Sequence, residues 1–233
     1  MKAPLRHSLI CLAAASLAGC AALEQLGNPS ARQVSLHRKQ HESFRAQQDW
    51  RKLTYRHTEL LTRATAENSS VEISLKDQRG FLLVDGSVAM DFPVATGKAS
   101  HPTPKGSYKI IEKKKDHKSN LYGKIVSAEG QTVVSDADTR ANPVPEGGRF
   151  VGAPMPYWMR LTTTGVGLHI GYIPGRPASH GCIRLKRDVA VQLFDILDLG
   201  SPVIIDHHAP SLGAPAQDEK VATGETPGGR ASG

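Results

Sequence analysis

Gly165–Leu185 reads GVGLHIGYIPGRPASHGCIRL, and the rest of the 233-residue chain is best read outward from it. Val166 and Leu168 bracket Gly167 in a short apolar run that closes on His169, a strand signal. Gly171, Pro174, Gly175 and Pro177 then interrupt any regular element, so a loop follows. That loop ends in Ser179-His180-Gly181-Cys182-Ile183-Arg184, which places Cys182 thirteen positions after His169. A loop of this kind lets the thiol and the imidazole become neighbours in space, as a nucleophile and its base.

A thiol attacks poorly until it loses its proton, and nearby cations or proton acceptors make that loss easier. His169 supplies a base, and His180 and Arg184 are expected to add positive field. Ser179 and Gly181 let the backbone turn tightly before the cysteine, aiming amide N–H groups at a developing oxyanion. The combination suits acyl transfer. Two other readings compete. His169, His180 and Cys182 could be three zinc ligands, but the chain lacks the CxxC or HExxH pattern that usually completes such a site. Cys182 could also be a buried, inert cysteine in a non-catalytic envelope-binding module.

The first residues bear on the cysteine count. Lys2 and Arg6 precede the apolar run Leu9–Leu17, which is too short to span a bilayer and reads as a signal peptide over 1–19. It ends in Leu17-Ala18-Gly19-Cys20, which resembles the bacterial lipobox, whose cysteine is acylated and becomes the mature N-terminus. Cys20 is therefore the expected lipidation site, and acyl chains would anchor the protein without a membrane span. Ala21 after the cysteine points to the outer membrane, facing the periplasm. Of the three cysteines, Cys11 leaves with the signal and Cys20 is lipidated, so Cys182 remains as the free thiol. Processing lowers the net charge from +7 to +5, which suits a carboxylate- or phosphate-rich partner and does not call for nucleic acid.

Between these regions the pattern is that of a mainly β domain with short helices, an α+β fold. Its 22 Gly and 15 Pro favour turns over a helical bundle. Val71, Ile73 and Leu75 alternate with polar residues. Phe81–Val84, Asp85-Gly86 and Val88–Val94 read as a hairpin. A rigid turn over His101–Gly106 leads into a strand at Ser107–Ile111. Lys113–Lys118 is the densest charge run and reads as a solvated hairpin end. Ser119–Phe150 is rich in turn residues and is expected to be a long loop. Tyr157 and Trp158 are candidates to line a substrate cleft, as is Tyr172. Asp188 is expected to cap a helix carrying Val189, Leu193, Ile196 and Leu197, with Gly200 ending it and a last strand at Pro202–Asp206.

Residues 20–70 are polar, with few large apolar side chains. Phe44, Trp50, Leu53, Leu60 and Leu61 could share a helix face, but the segment reads as a partly helical tether. On this reading His37, His41 and His57 are solvated rather than metal ligands. The catalytic domain spans 71–207, and 208–233 reads as a disordered tail.

The sequence resembles the YkuD family of L,D-transpeptidases over about Val71–Asp206. The resemblance rests on Phe92–Lys98, the Pro102–Gly106 turn, and above all His169 with Ser179–Arg184. It implies a YkuD-like β-sandwich and an enzyme of peptidoglycan remodelling that uses no cofactor and no metal. By resemblance, Cys182 is the nucleophile that attacks a tetrapeptide stem at the bond before its terminal D-alanine. D-Alanine leaves, and an amine of a second stem resolves the thioester in a 3→3 cross-link. His169 is then the base, the N–H groups of Gly181 and Cys182 the oxyanion hole, and Arg184 a support for the loop or for a substrate carboxylate. The same thioester could instead be passed to an envelope protein or to water. Many members follow the histidine with Gly-Thr, where this chain has Ile170-Gly171-Tyr172.

Overall fold

The computed structural model describes residues 31–209 together with Ser211. The signal peptide, Cys20 and residues 212–233 lie outside the described residues, so the lipidation site and most of the tail do too.

Among the described residues, thirteen strands form two sheets. The hairpin signal becomes β3 (Arg79–Val84) and β4 (Ser87–Ala95), turning at Asp85-Gly86, where both residues have positive φ. β4 is the hinge of the larger sheet. Its Ser87–Pro93 portion pairs with β3, which continues through β2 (Ser69–Ser74) and β13 (Pro202–Asp206) to β5 (Gly106–Lys109). Its last residues, Val94 and Ala95, pair with β12 (Ile183–Leu185), which leads to β11 (Gly167–Ile170), β10 (Trp158–Arg160) and β6 (Glu112–Lys114). A two-residue strand, β1 (Tyr55–Arg56), pairs with β4.

The two halves enclose one core. Val71, Ile73, Leu82 and Phe92 from the first half meet Met159, Leu168, Ile183 and Leu185 from the second. A helix over Arg187–Ile196 closes this core with Val189 and Leu193, both fully buried. Burying a side chain of this size contributes about 1.5–3 kcal/mol. The helix starts one residue before Asp188, so Asp188 is not its cap. It sits in the first turn, where a carboxylate favours the exposed N–H groups, and accepts a 2.7 Å bond from Arg56 Nη2. Gly200 lies beyond the helix end, in the turn before β13.

Ser119–Phe150 is not a long loop. Most of it belongs to a three-stranded antiparallel sheet, β8-β7-β9, built from β7 (Lys118–Val126), β8 (Thr132–Asp138) and β9 (Arg149–Pro154). Few of its positions are buried, chiefly Ile125, Val126 and Ala137, so the alternation that marks a half-buried strand is faint in the sequence. The run Lys113–Lys118 is likewise split between β6 and the start of β7.

The N-terminal segment is docked rather than tethered. Helix α1 (Ala31–Arg45) turns His37, His41 and Phe44 inward, all under 9% exposed. Phe44, Trp50, Leu53 and Leu60 do not share a helix. Trp50 lies in a 3-10 turn, Leu53 is exposed, and Leu60 is buried on α2 (Thr58–Thr62). Polar pairing holds the segment in place where apolar surface is scarce. His41 Nε2 lies 2.8 Å from Asp91 Oδ2, and Arg79 Nε donates to Asp91 Oδ1 at 2.6 Å. The Arg79 guanidinium also donates to the carbonyls of Arg51 and Leu53. At the other end, Ala209 is buried beside Phe81 and Leu83, and Ser211 donates to Glu72, so the domain extends past His207. Among the described residues, no helix is long and apolar enough to cross a membrane.

Candidate active site

β11 and β12 are adjacent and parallel, with His169 opposite Arg184 and Leu168 opposite Ile183. Side chains alternate across a strand, so His169, Cys182 and Arg184 share one side of this pair. All three line a cleft of about 900 Å³. Its walls include Trp158 and Tyr122, and Tyr172 stands at its edge, 78% exposed.

His169 is 6% exposed, and burial lowers its pKa to about 4 despite a bond to the Ile170 carbonyl. At neutral pH the ring is therefore uncharged. Its Nδ1 lies 2.8 Å from that carbonyl oxygen, which can only accept, so Nδ1 carries the proton and donates it. The lone pair is left on Nε2, free to take a proton.

Burial pushes the Cys182 thiol up, against a backbone N–H from Gly167 and the charges of Arg184 and Arg160. The thiol lies 3.5 Å from the Gly165 carbonyl, a weak acceptor for its S–H. The resting pair is thus thiol and neutral imidazole, not a preformed ion pair, and the proton must move as the sulfur attacks.

The turn before Cys182 is held from within. Ser179 Oγ accepts from the Gly181 N–H at 3.1 Å and donates to the Cys182 carbonyl. Gly181 sits at φ +111°, a region that favours glycine. The Gly181 N–H is therefore committed to Ser179, which leaves the Cys182 N–H as the oxyanion donor of the expected pair.

A second brace comes from Thr103, which sequence reasoning took only as part of a rigid turn. Its hydroxyl donates to the Gly181 carbonyl and accepts from the Gly97 N–H, both at 2.8 Å. Gly97 is tightly enclosed, since a Cβ there would lie 2.1 Å from the His101 carbonyl oxygen. A threonine between two prolines was the available signal. The brace continues through the Thr96 carbonyl, which accepts the N–H groups of Ala178 and Ser179.

His180 does not supply the expected field. Its ring stacks on Tyr122 at 4.3 Å, with His101 at 4.9 Å and Lys98 Nζ 3.0 Å from Nε2. Burial lowers its pKa, so it is neutral at neutral pH and serves to join the motif to the three-stranded sheet.

Tyr157 also departs from expectation. It packs edge-on against Phe194 of the last helix, named α3 here (Arg187–Ile196), and joins the core rather than the cleft wall. Trp158 does face the cleft, stacked on His117 at 4.9 Å and 6.1 Å from the His169 ring. Its Nε1 donates to Glu112, which also accepts from Arg160. Bonds from Lys114 and Arg160 hold the Glu112 carboxyl down at about 2. Arg160 is therefore neutralised, whereas Arg184 has no acidic partner within ion-pair distance among the described residues.

Residues 68–205 match the YkuD family, the L,D-transpeptidase catalytic domain. The chain belongs to that family. The YkuD match starts three residues before the sequence-based boundary at Val71 and takes in every cleft residue named above. Among curated relatives, the chain is 29% identical over 120 residues to probable L,D-transpeptidase 3 of Mycobacterium tuberculosis, covering 48% of this chain and 37% of that protein. It is 30% identical over 127 residues to L,D-transpeptidase 1 of the same organism, covering 51% and 43%. The match thus spans less than half the length of these relatives. Among solved structures, an L,D-transpeptidase from Mycobacterium smegmatis aligns with a TM-score of 0.46 at 23% identity, covering 60% of this chain and 58% of that one.

Proposed function

We propose that this YkuD domain is a peptidoglycan L,D-transpeptidase working through a thioester on Cys182. The observation that carries this reading is the pairing, in one cleft, of Cys182 with a buried neutral His169 whose Nε2 is free to accept. The donor is a tetrapeptide stem, and the bond attacked joins its third residue to the terminal D-alanine. As Cys182 Sγ adds to that carbonyl, its proton passes to His169 Nε2. The Cys182 N–H donates to the oxyanion. Collapse breaks the C–N bond, and the imidazolium returns the proton to the departing D-alanine amine. The acceptor amine of a second stem then adds to the thioester, losing its proton to His169. The proton goes back to sulfur as the thiolate leaves, and a 3→3 cross-link results with no ATP consumed.

Arg184 would meet a stem carboxylate, a role supported by its lining of the cleft and by the lack of an acidic partner within ion-pair distance among the described residues. The domain would work in the periplasm-facing envelope, held by acyl chains on Cys20. Incubation with purified tetrapeptide muropeptides should release D-alanine and yield cross-linked dimers by mass spectrometry. Finding neither would contradict the proposal. Hydrolysis alone would show water rather than an amine as the acceptor.

A further inference from the structure

Outside the cleft, His37 of α1 and His57 and Glu59 at the start of α2 offer ligand atoms that all lie within 4.8 Å of one another. Their rings are close, with the His37 and His57 centroids 4.4 Å apart. His37 is 5% exposed, and its buried Nδ1 has no hydrogen-bond partner. Buried nitrogens are nearly always paired, so an unpaired one marks a place where a partner is missing. We propose that His37, His57 and Glu59 bind a divalent transition-metal cation of the zinc type, which staples α1 to the catalytic domain.

Two imidazoles and a carboxylate are a donor set that suits zinc, with water completing the tetrahedron. Nitrogens sharing one zinc sit about 3.3 Å apart at ordinary bond lengths, so ligand atoms that lie within 4.8 Å of one another need to close by at most about 1.5 Å. His57 has two bonds to exchange. Its Nε2 faces Gln40 Oε1 at 2.8 Å, and its Nδ1 accepts from the Leu60 N–H at 3.3 Å. A cation on Nε2 displaces the flexible Gln40 amide and moves the ring proton to Nδ1, giving up the long Leu60 bond. Arg63 is the nearby opposing charge. It is turned toward Asp85, 3.7 Å away, while Glu59 is exposed and able to swing in. In sequence, His37 and His57 read as solvated rather than as ligands; it is the docking of α1 that buries His37 and brings it beside His57, twenty positions on, and Glu59.

The site shares no residue with the cleft, and its test is independent of the transpeptidase reading. Full-length protein stripped with EDTA is titrated with zinc by calorimetry, and its melting temperature is followed with and without the metal. The expected result is saturable binding of about one zinc per chain with a rise in Tm. Glu59→Gln, a surface change that spares the fold, should weaken binding about tenfold or more. His57→Ala should abolish it, and Cys182→Ala should retain it. No saturable binding overturns the proposal, as does binding that survives both Glu59→Gln and His57→Ala, or that is lost with Cys182.

Discussion

His169 Nδ1 donates to the carbonyl oxygen of its own neighbour, Ile170, at 2.8 Å, and this bond decides which nitrogen can act as base. With Nδ1 occupied, Nε2 is the acceptor. Burial keeps the ring neutral, since its pKa falls to about 4. The pair formed with Cys182 therefore starts uncharged.

The acid limb of the acylation rate should follow from this. A free histidine would lose half its base form near pH 6.5, whereas His169 should keep acylation active until pH falls toward about 4. Measuring carbapenem or stem-peptide acylation rates from pH 4 to 8 checks it. A midpoint near 6.5 would mean that the ring is not buried as described.

The same shift has a stability consequence. The unfolded chain binds a proton at His169 more readily than the folded one between about pH 6.5 and about 4, so stability rises with pH across that window. The contribution is fully present above 6.5 and is lost as pH falls to about 4, an order of magnitude of about 3 kcal/mol. Denaturant melts of His169→Gln should show a shallower acid loss than the unsubstituted protein over that range.

Thr103 braces the Cys182 turn without touching the sulfur, through its bonds to Gly97 and Gly181. Thr103→Val keeps the shape and removes both bonds, leaving the Gly181 carbonyl unpaired at a cost of about 1–3 kcal/mol. Acylation should slow about tenfold or more while Cys182 still reacts with a small thiol reagent. An unchanged rate would show that the turn holds itself.

Asp91 is fully buried between His41 and Arg79, and Arg79 is 1% exposed. Asp91→Ala leaves a buried guanidinium without its counter-charge, which should cost about 3–5 kcal/mol in denaturant unfolding. Lys52→Ala, which breaks the exposed pair with Asp49, should change little.

The elements legible in the sequence are those with strong alternation or strong punctuation. β2 sits where the alternation of Val71, Ile73 and Leu75 placed it, and β3, β4 and β13 where apolar runs and the Asp85-Gly86 turn placed them, because β3 and β4 are packed on both faces and read as continuous apolar runs. β7, β8 and β9 escaped notice because few of their side chains are buried, so their alternation carries little hydrophobic signal. Docking of α1 was hidden for a different reason. Its inward face holds two histidines beside Phe44, and their partners, Asp91 among them, lie some fifty residues away. At the site, the His169–Cys182 loop was readable from glycine, proline and motif spacing. Tyr157 and His180 were not, because the direction of a side chain depends on neighbours, Phe194 and Tyr122, that are distant in sequence.

The most direct test of the central claim is intact-protein mass spectrometry after exposure to a stem tetrapeptide, followed by peptide mapping. The account predicts a gain equal to the stem acyl group without D-alanine, located on Cys182 and absent from Cys182→Ala. An unmodified Cys182, or an adduct on another residue, would contradict it.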